Sequence, residues 1–128
     1  MADYFRDEVF MSFGATSALQ DPEIDRSFVE TPTSPVEYLH RKPQCATGGT
    51  STTLSDFTTI TALYVKNHDT TNFVIGTYRE LGDSAAANRT FKLSASQWLK
   101  LVNVSPSTAL SIAADTAACK CEILVVGT

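Results

Sequence analysis

The sequence predicts an all-β protein, an antiparallel β-sandwich or jelly roll with an extended amino-terminal segment. Three observations carry this expectation. Short runs with period-two alternation recur from Thr58 to the end, separated by tight polar turns. Prolines 22, 32, 35 and 43 interrupt every run before residue 50, which rules out a long helix there. The 128 residues are 43% hydrophobic and 19% charged, enough for one domain with a real core.

In chain order, DYFRDEVFMSF reads as a first strand, with a short helix as the alternative. SFVETPTSPVEYLHR reads as extended segments separated by turns, and QCATGGTSTTLSD as a polar linker. The expected organisation is a proline-interrupted arm or set of edge strands over 1–50, a β-sandwich core over 51–128, and a single domain overall. ITALYVKN is a strand with Ala62, Tyr64 and Lys66 on one side and Leu63 and Val65 on the other. NHDTT is expected to be a hairpin connection into NFVIGTYR. Its Asn67, Asp69, Thr70 and Asn72 suit a turn because their side chains bond nearby backbone N–H groups. ELGDSAAAN is a loop, RTFKL a strand, SASQ a turn and WLKLVNV a strand. SPST then leads into ALSIAA, and DTAA into CKCEILVVG.

Net charge is −4, which gives no general affinity for nucleic acid. Residues 1–40 hold eight acids against Arg6 and Arg26, whereas residues 41–128 hold six acids and eight bases. An acidic arm beside a mildly basic remainder is suited to docking on a neighbouring copy, although a charge block is equally a solvated face. The first residues lack the basic and apolar regions of a signal peptide, and no run approaches the ~20 apolar residues of a membrane span. The expectation is a protein made and kept in the cytosol, or leaving inside a particle, with no membrane partner.

Chemistry-bearing motifs are scarce. His68 and Asp69 are adjacent, but no nucleophile motif accompanies them. The expected reading is a solvent-facing turn, with a small hydrolase as a remote alternative. Cys119 and Cys121 share one face of a strand, yet Cys45, His40 and His68 form no second ligand pair, so buried structural thiols are expected and no metal or cofactor. ATGGT lacks the lysine and the setting of a phosphate loop. Trp98 opens an alternating strand, where a core or subunit-interface anchor is the usual role. With Tyr64 or Tyr78 it would also make a stacking platform for sugar, which keeps a carbohydrate-binding module for host attachment as an alternative.

Three runs resemble small virion structural proteins of tailed bacteriophages: LSDFTTITALYVKNHDTTNFVIGTYR, FKLSASQWLKLVN and ALSIAADTAACKCEILVVGT. The shared pattern is a strand ending V-x-N, a D-x-T-N connection, a turn after a KL strand and a late DTAA turn, over roughly 54–127. SASQ departs from it where a glycine-containing turn is usual, and residues 1–50 lie outside it. The resemblance implies a non-enzymatic β-sandwich subunit of a phage particle. A capsid decoration (cement) protein bridging neighbouring capsid subunits is favoured, with a tail, neck or fibre-base component as the alternative. It further implies homo-oligomers and partners among other virion proteins, the major capsid protein first. Candidate subunit contacts are Tyr4, Phe5, Phe10, Phe28, Tyr38, His68, Asp69 and Trp98.

Overall fold

A computed structural model describes residues 8–14, 22–29, 37–85 and 87–128. Among them are eleven strands and no helix. The chain separates into two compact units, Met1–Val36 and Glu37–Thr128. In the first, β1 (Glu8–Gly14) pairs antiparallel with β2 (Pro22–Val29). Pro22 sits at the first position of its strand, where a missing N–H costs least.

The second unit is a two-sheet sandwich. One sheet has the order β5 (Thr50–Thr52), β10 (Leu110–Ala114), β7 (Val74–Tyr78), β8 (Arg89–Leu93). The other runs β3 (Glu37–Arg41), β11 (Cys119–Gly127), β6 (Ile60–Asn67), β9 (Trp98–Leu101), with β4 (Gln44–Cys45) also paired to β11. All pairings are antiparallel. The core draws on both sheets: Leu63, Val65, Ile123 and Val125 from one, Val74, Leu93, Leu110 and Ile112 from the other. These positions follow from the pleat, since side chains two apart share a face.

All six strands expected after Thr58 are present. The division falls after Val36, however, and not near residue 50. Residues 37–50 belong to the sandwich because β3 and β4 supply the ladder partners for one side of β11. That gives the nine-residue β11 a neighbour on both sides and makes it the centre of its sheet.

The connection after β6 also differs from expectation. β6 and β7 lie in different sheets, so NHDTT is not a hairpin turn but a crossover between layers. Alternation alone cannot tell these apart, because strands joined by a hairpin and strands facing across a core read alike. Of the later connections, only that between β7 and β8 joins neighbours in one sheet.

The crossover is held by its own side chains, as the turn chemistry predicts. Asp69 Oδ1 accepts from the Thr71 and Asn72 amides at 2.7 and 2.6 Å, and Asn67 Oδ1 accepts from the Asp69 amide at 3.0 Å. These amides, Asn72 first and then Thr71, hold the Asp69 carboxyl below its usual range. Asn67 is fully buried. The two hydrogens of its Nδ2 are shared among the carbonyls of Asn72 (2.9 Å), Leu93 (3.2 Å) and Ser94 (3.3 Å), so one amide ties the β6 crossover to the β8 crossover. The second crossover is SASQ. With no glycine there, Ser96 itself takes the left-handed conformation, at φ 62°. Its amide donates to Asp69 O at 3.0 Å.

Candidate functional site

The outer face of the β3–β11–β6–β9 sheet carries the most distinctive surface among the described residues. Ladder register defines it. One row across the strands is Trp98, Lys66, Glu122; the next is Lys100, Tyr64, Leu124, His40. Trp98 is 61% exposed. It stands at the edge of a groove of about 280 Å³ lined by His40, Tyr64, Lys66, Glu122 and Leu124. The ammonium of Lys100 lies 5.9 Å from the centroid of the Tyr64 ring. Covering the exposed part of a tryptophan removes on the order of 100 Å² of apolar surface, or ~2.5 kcal/mol at ~25 cal/mol/Å².

Glu122 is the polar centre of this face. His40 Nε2 meets one carboxylate oxygen at 2.6 Å and His68 Nε2 meets the other at 2.8 Å. The hydrogen bonds from His68, then His40, draw its carboxyl down from 4.5 to about 2. The two histidines are far apart in sequence, His40 on edge strand β3 and His68 just past β6. Central strand β11 brings Glu122 between them.

His68 is exposed and lies in the connection after β6, as expected, and it also holds Glu122. Asp69 turns into its own loop, so the hydrolase pair imagined from their adjacency is not assembled. No sequence signal linked His40, His68 and Glu122, because no spacing rule connects residues joined only by a ladder. Trp98 is not a core anchor. Tyr78 is buried against Phe91, ring centroids 6.1 Å apart, and drops out as a stacking platform, whereas Tyr64 remains on the outer face.

Tyr38 is 67% exposed and borders a second cleft, of about 340 Å³, between the β3 and β5 edges. Of the other candidate contacts, Phe10 and Phe28 fall on β1 and β2, opposite Ser27 and Val9 in the ladder. Tyr4 and Phe5 lie outside the described residues.

The three cysteines are free and buried, and Cys119 pairs across the ladder with Cys45. A hydrogen bond with Cys45 and then burial push the Cys121 thiol up, and burial does the same to Cys119. The same hydrogen bond draws the Cys45 thiol down, so only Cys119 and Cys121 are held protonated; all three are buried, as packing residues are. Among the described residues no group of three or more His, Cys, Asp or Glu is arranged to hold a metal.

Comparison of the chain with protein-family models, curated proteins and solved structures finds no match in any of the three. The class that fold and site define is an antiparallel β-sandwich with an exposed aromatic beside a groove on one sheet.

Proposed function

We propose that this chain is a non-enzymatic structural protein of a bacteriophage virion that works by contact. It serves as a head decoration protein that bridges neighbouring capsid subunits, and the major capsid protein is its principal partner. The observation that carries the contact role is Trp98, a large aromatic left 61% exposed on the outer face of edge strand β9. Exposed aromatics beside an apolar groove are what interface centres are made of. The virion assignment is supported by the resemblance of residues 54–127 to small phage structural proteins. The excess of acids over residues 1–40, against the excess of bases over 41–128, supports docking on a neighbouring copy.

Quantitative mass spectrometry of purified particles tests this reading. A capsid-scale copy number is expected. A copy number on the scale of a single ring moves the protein to the neck or tail, and absence from particles removes the proposal. Trp98→Ala should release the protein from particles while leaving its fold intact, because the side chain is mostly outside the core.

A further inference from the structure

We propose that the groove beside Trp98 is a binding site for an uncharged saccharide. A sugar ring has an apolar C–H face and a rim of hydroxyls that both donate and accept. The groove offers a match for each. Trp98 is the chain's one tryptophan, and it presents an exposed indole, with Tyr64 and Leu124 continuing the apolar surface along the next row. Glu122 is fixed by two imidazoles and, among the described residues, accepts one hydrogen bond on each oxygen, leaving further lone pairs for hydroxyl donors. A neutral imidazole that donates through Nε2 keeps Nδ1 as an acceptor. The Lys66 ammonium, between Trp98 and Glu122 in the ladder, supplies a donor.

Charge selects among ligands. The ionised Glu122 opposes an anion and the neighbouring Lys66 opposes a cation, whereas a neutral polyol satisfies both without an unpaired charge. A volume of about 280 Å³ is at the small end of ligand sites, suited to one or two sugar rings. The site is preorganised, since Glu122 and Lys66 project from central strands and the carboxylate is held from both sides.

The full chain should be titrated with uncharged gluco-, galacto- and N-acetylglucosamine oligosaccharides at up to millimolar concentrations. Fluorescence of the single tryptophan reports the site directly. At least one series should shift or quench it saturably. By calorimetry, Trp98→Ala should weaken that binding about tenfold or more, Trp98→Phe should restore part of it, and Glu122→Gln should weaken it several-fold. Ile75→Ala, a partly exposed apolar position in the opposite sheet, should leave binding unchanged. Failure of every uncharged series to perturb the fluorescence overturns the inference. Binding of anionic oligosaccharides alone, or binding that survives both Trp98→Ala and Glu122→Gln, does the same. The proposed particle contact uses the same tryptophan, so the titration is done on the free protein, and particle copy number tests the virion reading separately.

Discussion

Replacing Asn67 by alanine removes a side chain that joins two crossovers from inside the core. The parent amide shares its two hydrogens among three carbonyls, at 2.9, 3.2 and 3.3 Å, and accepts one amide N–H at 3.0 Å. The bond to Leu93 O is buried, while those to Asn72 O and Ser94 O are partly so. A buried polar group left without a partner costs ~1–3 kcal/mol, and a partly wet one less. One full loss and two or three partial ones sum to about 2–4 kcal/mol. A unit of roughly 90 residues has about 5–13 kcal/mol in total, so the loss is a large share of it. With a urea m-value of ~1.5 kcal/mol/M, the midpoint should fall by roughly 1.3–2.7 M. Asn67→Asp is the sharper variant. It keeps the shape but turns a carboxylate oxygen toward three carbonyl oxygens, so it should lose at least as much at neutral pH and recover as the acid protonates. A midpoint for Asn67→Ala within about 0.3 M of the parent, or ~0.5 kcal/mol, would refute the assignment of this residue as the link between the crossovers.

Gly76→Ala should destabilise by about 1–3 kcal/mol in thermal or urea unfolding, because its Cβ would sit inside the Phe91 ring directly across the ladder; Gly76→Ala with Phe91→Leu should recover part of the loss. Acid unfolding should carry the signature of Glu122. Its folded pKa, about 2, lies below its ordinary 4.5, so its contribution is complete above 4.5 and is lost as pH falls toward 2; Glu122→Gln should flatten stability over that window. Deleting residues 1–36 should leave the sandwich folded by circular dichroism, whereas deleting 1–50 should unfold it, because β3 and β4 are then missing from one side of β11. Equal folding of both truncations would contradict the division after Val36.

The strands were legible because each has its own local signal. ITALYVKN alternates, and the structure buries Leu63 and Val65 while Lys66 stays exposed. The turn chemistry of Asn67 and Asp69 was legible too, since an Asx side chain bonds within a few residues of itself. The destination of each turn was not. The same Asp69 capping that serves a hairpin serves a crossover, and only sheet order separates them. Asn67 shows the limit within a single side chain: its carbonyl oxygen does the local work that was expected, while its amide nitrogen reaches Leu93 and Ser94 across the crossover.

The sequence by itself determined the all-β class, the six strands after Thr58, the polar character of their connections and the burial of the CKC face. Each depends on residue type and a period of two, which are local properties. The tertiary structure decided which strands share a sheet, that residues 37–50 belong to the sandwich, that Trp98 faces solvent, and that His40 and His68 meet on Glu122. Those follow from the ladders, of β11 with β3, β4 and β6 and of β6 with β9, which set side by side residues that no spacing in the chain connects.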